Sequence, residues 1–279
     1  MNLRNIIISL LYLPFFLFNA ILRFLRIEDA KVRILLMHDI PNNKHDNFAS
    51  IIRHVSKRWN FISPEELEGH LSGAQSLKGR NVLLTFDDGF HSNRVIADEI
   101  LDPLGIKALF FIPTGFVDMR GSRALQFAKT RLFPFSSPQD LSDGAYDAMS
   151  WEDIASLVHS GHCIGSHTDT HPELSSLTYQ EQYHEIVHSA DILSAKLSIP
   201  IQQFAYPFGS IRQVNKDSVK IAQTRFDTSY SNIRGMLDEQ VASNFLFRQN
   251  IVRNLLKNSK VRNEFCQGTL DFQRYCKKK

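Results

Sequence analysis

The sequence predicts an α/β fold built on a parallel sheet or barrel, and three observations lead there. From Lys31 onward, short β-rich apolar runs alternate with helical patterns, which is the signature of successive βα units. No internal repeat or low-complexity linker interrupts the alternation, and 279 residues suffice for one large domain with a full core. Titratable residues gather immediately after several of the apolar runs, and α/β barrels collect their catalytic groups at the ends of strands.

The strands follow from runs too short for helices and rich in Val, Ile, Leu and Phe: Val32–Met37, Val82–Phe86, Lys107–Ile112, His162–Ser166, Gln203–Ala205 and Phe226–Ser231. Helical patterns separate them at His45–Arg58, Ser92–Leu101, Trp151–His159, Thr178–Leu197 and Val214–Thr224. A further short helix is expected from Ser63-Pro64-Glu65-Glu66, which supplies an N-cap, a proline at the first helical position and acids in the first turn. The stretch 121–148 is polar, carries Pro134, Pro138 and Gly144, and reads as a long excursion over the surface.

Composition excludes several classes of protein. With 43% hydrophobic and 22% charged residues the chain is too apolar for intrinsic disorder. A formal charge of +3, with no basic tract beyond Lys277–Lys279, argues against a nucleic-acid partner. The three cysteines (Cys163, Cys266, Cys276) have neither CxxC spacing nor the number for a disulfide framework. Four of the 21 phenylalanines, Phe15, Phe16, Phe18 and Phe24, fall close together near the N-terminus. There Ile6 to Leu22 forms a nearly charge-free run of about 17 residues, roughly 26 Å if helical, at the lower limit of a membrane span. Arg23, Arg26, Lys31 and Arg33 follow it against Arg4 before it, so the positive-inside bias favours the cytoplasmic face for the folded part. A segment lying in the interface fits equally well. Association with the membrane surface through residues 6–25 is therefore expected, with topology left open.

Four stretches carry chemistry. Val82-Leu-Leu-Thr-Phe-Asp87-Asp88-Gly89 ends a buried strand in two adjacent carboxylates and a glycine that permits a tight turn. Neighbouring residues at a strand end point in different directions, so one carboxylate can bind a metal while the other faces its water. The second stretch, Gly161 to Leu174, holds His167 and His171 four apart on a strand end and loop. Two imidazoles and one carboxylate are a sufficient protein set for a catalytic divalent ion that keeps open positions. The third, Phe204-Ala-Tyr206-Pro207-Phe208-Gly209-Ser210, is a turn able to offer a backbone N–H and an aromatic wall to a ligand. The fourth, Leu35-Leu-Met-His38-Asp39, is again a strand ending in titratable groups. By contrast His184-Glu-Ile-Val-His188 matches HExxH literally, but both histidines fall opposite the stripe formed by Tyr183, Ile186, Ala190, Leu193 and Leu197. They are expected to face solvent, without a third ligand.

Taken in order, these stretches resemble the polysaccharide deacetylase family, carbohydrate esterase family 4 with its NodB homology domain, over roughly Lys31 to Ile251. Thr85 to Gly89 looks like the first motif, Ser166 to Leu174 the second and Phe204 to Gly209 the third. The resemblance implies a distorted (β/α)7 barrel as a single catalytic domain. It also implies metal-dependent removal of N-acetyl groups, linear amides, from an amino sugar; the expected substrate is a cell-envelope polysaccharide or, given the membrane-prone N-terminus, its lipid-linked precursor. Carried over by position, Asp88, His167 and His171 would hold one divalent ion, Zn2+ first, with Co2+ or Ni2+ as alternatives. Asp87 would be the general base. Tyr206, Pro207, Phe208 and Gly209 would line the substrate, with the Phe208 N–H turned to the oxyanion.

The sequence departs from the family in two places. The third motif usually carries an arginine that orients the base, whereas Ile201, Gln202 and Gln203 occupy that region. No histidine follows His188 to supply the usual C-terminal acid. His38-Asp39-Ile40 resembles the Tyr-His-x-Ile element of a permuted branch in which an N-terminal histidine is the acid, so His38 is assigned that role. The expected organisation is a membrane-associating segment at 1–30, the catalytic domain at 31–255 and a basic tail at 256–279. The expected substrate is an N-acetylated glycan or glycolipid, and the alternative is a catalytically inactive NodB-fold protein that binds a glycan.

Overall fold

The computed structural model describes residues 31–135, 146–233, 245–246 and 248, so the apolar run 6–22 and the basic tail lie outside the described residues. Seven strands follow one another across one sheet: β1 (Lys31–Met37), β3 (Arg80–Phe86), β4 (Ala108–Ile112), β5 (Cys163–Ser166), β6 (Gln203–Ala205), β7 (Thr228–Tyr230) and β8 (Phe245–Leu246). Every pairing is parallel, and the sheet curls into a half-barrel with helices outside. Strand β3 is the hub. One edge pairs with β1 from Arg80 to Phe86, while Asn81 and Val82 also pair with β2 (Asn60–Phe61) and Leu84 to Phe86 with β4.

The strands read as continuous apolar runs because both faces are buried. The helix-facing residues Leu35, Val82, Leu84, Phe86, Phe110, Ile112 and Phe204 belong to the large cluster that packs against the surrounding helices. Alternate residues Val32, Ile34, Leu83, Leu109, Phe111, Ala205 and Tyr230 form a second cluster, the filling of the barrel. Ile62, Leu67 and Leu77 join that filling. Leu67 belongs to helix α2 (Pro64–Leu71), which follows α1 (His45–Val55) and is started by the expected Ser63–Glu66 capping box. Glu65 of α2 accepts from Cys163 and Glu68 from Gln203, the first residues of β5 and β6. Helix α2 thus plugs the barrel at the strands' N-terminal ends, and the open end is the one where the strands finish.

Helix α3 (His91–Ile96) and its π-turn Ala97–Leu101 lie close to the expected Ser92–Leu101. The 121–148 stretch is not simply an excursion over the surface. Gly121–Phe127 forms helix α4, continued by a π-turn at Ala128–Leu132. Ala124, Ala128 and Leu132 bury one stripe against Phe90, Phe116 and Ala148, a third small core. Two of the three stripe residues are alanines, so the amphipathic pattern was hidden in a polar average. Helix α5 (Trp151–His159) precedes β5, and α8 (Lys216–Arg225) precedes β7. Between β5 and β6, the expected long helix is α6 (Tyr179–Tyr183), a π-turn (His184–His188) and α7 (Ser189–Leu197). Among the described residues no helix is long and apolar enough to cross a membrane.

The barrel filling leaves no room at Gly165 in β5. A Cβ there would stand 2.5 Å from two ring carbons of Phe111 and 3.0 Å from the Gln203 carbonyl oxygen. Gly165→Ala is expected to lower unfolding stability by about 1–3 kcal/mol, the usual cost of overpacking a core. Urea denaturation reads this directly, and an unchanged midpoint would mean that the Phe111 ring moves aside freely.

Candidate metal centre

Three strand ends build the site. Strand β3 delivers Asp87 and Asp88, both almost fully buried at 3% and 2% exposure. Asp88 and Gly89 are left-handed (φ 74° and 68°), which bends the chain sharply and sends the two carboxylates to different partners. Strand β5 delivers His167, and the loop beyond it His171, both buried.

The histidine tautomers follow from their neighbours. The His167 Nδ1 lies 2.8 Å from the Ala205 carbonyl oxygen and the His171 Nδ1 lies 2.9 Å from the Arg131 carbonyl oxygen. A carbonyl only accepts, so in each neutral ring Nδ1 carries the hydrogen and Nε2 presents a lone pair. Those two Nε2 atoms stand 3.6 and 3.5 Å from Asp88 Oδ1. One donor atom from each of the three residues falls within 4.8 Å of the others. Asp88 Oδ1 is buried with no hydrogen-bond partner among the described residues. A buried carboxylate oxygen left unpaired beside two imidazole lone pairs, each ring oriented by a carbonyl, fits a divalent cation. Burial alone would raise the Asp88 carboxyl, but the imidazoles of His167, His38 and His171 around it outweigh burial and hold it at about 2. Burial, with His167 beside it, pushes His171 down to about 4, so its ring is neutral and able to ligate at neutral pH.

Asp87 is held by a residue that sequence reasoning missed. Arg248, fully buried, sets its guanidinium against both Asp87 oxygens, Nη1 to Oδ1 at 2.6 Å and Nη2 to Oδ2 at 2.9 Å. Its Nε donates to the Ser231 carbonyl at 3.0 Å, and its plane lies over the Phe111 ring at 5.2 Å. The fork is bidentate, so it fixes the carboxylate's plane as well as its charge. The arginine absent near Ile201 is thus supplied from just beyond β8, 161 residues along the chain from Asp87. The stretch Phe247-Arg248-Gln249 carries no local signal for this, because a lone arginine after a two-residue strand resembles any surface arginine.

The remaining expected residues divide. His38, at the end of β1, is half-buried and near enough to Asp88 for its charge to act there. Beside it Asp39 accepts from Ser92 at 2.6 Å, and burial, first among its influences, raises its carboxyl. Tyr206 is a core residue whose hydroxyl reaches Ser229 at 3.5 Å, and burial pushes it up to about 12. Pro207 and Gly209 are buried in the turn, where a Cβ on Gly209 would meet the Asn232 nitrogen at 2.5 Å. Phe208 has a left-handed φ of 58°, and its ring stands edge-on to His171 at 4.7 Å. Among the described residues no acceptor takes the Phe208 N–H. His184 and His188 are exposed and stack on each other at 4.7 Å, apart from the metal set.

Comparison with known proteins bears on the family and the fold. The family model described as polysaccharide deacetylase matches residues 74–225. YxkH of Bacillus subtilis, which carries the name polysaccharide deacetylase, is 24% identical over 202 residues, covering 70% of this chain and 62% of that protein. The chain therefore spans less than two thirds of that relative. In fold it is similar to IcaB from Ammonifex degensii, with a TM-score of 0.67 and 21% identity over 87% of this chain and 98% of that one. It is also similar to the deacetylase PplD of Streptococcus pyogenes, with a TM-score of 0.61 and 22% identity over 79% and 92%.

Two buried rings make stability depend on pH. Burial first of all lowers both His171 and His162 to about 4. The His162 Nδ1 accepts the Ala108 N–H at 3.1 Å and its Nε2 faces Asp102 at 3.2 Å. Above about pH 6.5 these residues are neutral in native and unfolded chains alike and contribute nothing. As pH falls below that, the unfolded chain takes up protons that the native one refuses, so stability falls until about pH 4. The slope approaches about 1.4 kcal/mol per pH unit for each ring. In metal-free protein the urea midpoint should drop between pH 7 and 5, and His162→Gln should remove about half of the drop. A flat profile would mean that both rings are protonated in the fold.

Proposed function

The chain belongs to the polysaccharide deacetylase family, and we propose that it is a metal-dependent N-deacetylase of an N-acetylated amino sugar in a cell-envelope polysaccharide or its lipid-linked precursor. The observation that carries this reading is the convergence of Asp88, His167 and His171 beside a second, separately held carboxylate, Asp87.

A divalent ion on those three residues would polarise the amide carbonyl and lower the pKa of a nearby water. The chain's own groups do the rest. Asp87, pinned by Arg248 and with Oδ2 3.8 Å from His167 Nε2, accepts the proton of the attacking water. The unshared Phe208 N–H donates to the oxyanion of the tetrahedral intermediate, a contribution of about 3 kcal/mol for such donors. His38, on the Asp88 side, protonates the leaving amine. The Phe208 ring and Phe135, 5.9 Å apart with Phe135 78% exposed, form an apolar shelf at the rim for the face of a sugar ring.

The reading as a non-hydrolysing glycan binder rested partly on the missing arginine, and Arg248 removes that ground. Purified protein with Zn2+, Co2+ or Ni2+ should release acetate from N-acetylglucosamine oligomers or lipid-linked sugars, and EDTA should abolish it. Asp87→Asn should lower kcat by about 10²- to 10⁴-fold. Arg248→Lys keeps the charge but loses the fork, and should lower kcat at least ~10-fold without weakening the metal. Glycan binding without acetate release, in a metal-loaded protein, would establish the binder instead.

The apolar run 6–22 supports membrane association, with the cytoplasmic face preferred. The full chain should float with lipid vesicles and Phe16→Asp should weaken this, whereas equal flotation of the two would remove the segment as anchor.

A further inference from the structure

The HExxH-like run leaves its glutamate unexplained once its histidines are set aside. Glu185 lies in the π-turn between α6 and α7, a local geometry that recurs at functional sites. Its Oε2 accepts the backbone N–H of Asp169 at 2.9 Å and of Thr170 at 2.8 Å. Its Oε1 accepts the Thr170 hydroxyl at 2.6 Å. Those two residues lie within the loop between His167 and His171. One side chain from another element therefore holds the middle of the segment that joins two of the three residues of the metal set.

That segment needs holding. Thr168 and His171 both adopt left-handed φ, 66° and 55°, which a β-branched or bulky residue resists. Inside the loop the Thr168 hydroxyl accepts the His171 N–H at 3.1 Å. On the opposite side the loop is tied to Thr114 and Gly115: Thr114 N–H donates to the Thr168 carbonyl at 3.2 Å and Gly115 N–H to that of Asp169 at 2.9 Å. The Thr114 hydroxyl donates to Asp169 Oδ1 at 2.5 Å. A Cβ on Gly115 would sit 2.9 Å from the Asp169 carbonyl oxygen, so the two segments meet only because residue 115 has no side chain. Glu185 closes this vice by satisfying two N–H groups that no other described residue accepts.

We propose that Glu185 is a positioning residue of the metal centre, whose carboxylate sets the Asp169–Thr170 backbone and thereby the separation of His167 and His171. The proposal rests on reading Asp88, His167 and His171 as the metal set. It assigns the HExxH-like run to the site through its glutamate alone, with no part for His184 or His188.

The test uses the full chain. Zn2+ affinity is measured by chelator competition, and backbone exchange of the Asp169 and Thr170 amides is followed by hydrogen–deuterium exchange in metal-free protein. Glu185→Ala should weaken Zn2+ about 10- to 100-fold, the range found for groups that orient ligands. It should also speed exchange of those two amides at least ~10-fold. Glu185→Gln should stay within about 3-fold of the parent, because its carbonyl oxygen can accept both N–H groups and its amide can donate to the Thr170 hydroxyl. His184→Ala and His188→Ala should leave affinity unchanged. If Glu185→Ala loses thermal stability but keeps parental affinity well below its Tm, Glu185 only supports the fold and the proposal is overturned. Failure of the parent chain itself to bind Zn2+ would instead overturn the reading of the metal set on which the proposal rests.

Discussion

Two adjacent carboxylates buried at the end of strand β3 are the constraint that organises this protein. Removing a carboxylate from water costs several kcal/mol even after relaxation, and here Asp87 and Asp88 both lose their water side by side. Neither charge can compensate the other. Each therefore demands a positive or polarisable partner of its own, and the turn at Asp88 and Gly89 lets the two demands be met in different directions. Asp87 finds the fork of Arg248, with favourable geometry at both oxygens. Asp88 finds imidazoles at 3.5 and 3.6 Å, too far for good hydrogen bonds, and keeps one buried oxygen unpaired. The contrast sets the two apart: Asp87 is already satisfied by a fixed cation, whereas Asp88 keeps an open demand that a divalent cation would meet.

Meeting those demands draws in most of the barrel. Arg248 comes from beyond β8, His167 from β5 and His38 from β1, so the chain's first and last described strands both serve residues at the end of β3. A parallel sheet makes this natural, because every strand ends on the same rim and a curled sheet brings those ends around one point. The opposite rim is stoppered by α2 through contacts of Glu65 and Glu68 with the first residues of β5 and β6. One end of the barrel is thus closed by a helix, and the other carries the convergent carboxylates and imidazoles.

The motifs that sequence reading found are those whose meaning is local. Thr85 to Gly89, His167 with His171 and the Tyr206–Gly209 turn each announce a strand end with polar or turn-forming residues, and the alternation of runs carries the parallel sheet. What escaped has no local signature. Arg248 acquires its role only when β8 pairs with β7, an outcome of topology rather than spacing. Helix α4 and its π-turn hid because two of the three residues of their buried stripe, Ala124 and Ala128, are alanines, which hydropathy hardly distinguishes from surface. Glu185 was visible within a familiar pattern, but the pattern directs attention to the flanking histidines, and these stack on each other in solvent. Tyr206 shows the converse: the turn was legible, yet its first aromatic points into the core, because strand residues alternate in direction and β6 ends there.

The two histidines of the metal set are not held alike, and the difference has a physical consequence. His167 is oriented by the Ala205 carbonyl, a group fixed within the neighbouring strand β6. His171 is oriented by the carbonyl of Arg131, in the π-turn that ends the α4 segment, and it sits on a loop of strained backbone. A carbonyl in a sheet ladder is already positioned by cooperative pairing, whereas one in a π-turn is positioned by the packing of a small separate core, here Phe90, Phe116 and Leu132 with their neighbours. Any movement of the α4 segment would be felt at His171 before His167. The stretch that sequence reading took for a surface excursion is in this way coupled to the ligand geometry through one hydrogen bond. It reaches the same ring a second way through Phe135, which packs on Phe208, which in turn packs on His171. The exposed aromatic rim and the orientation of the second imidazole therefore share a single structural element.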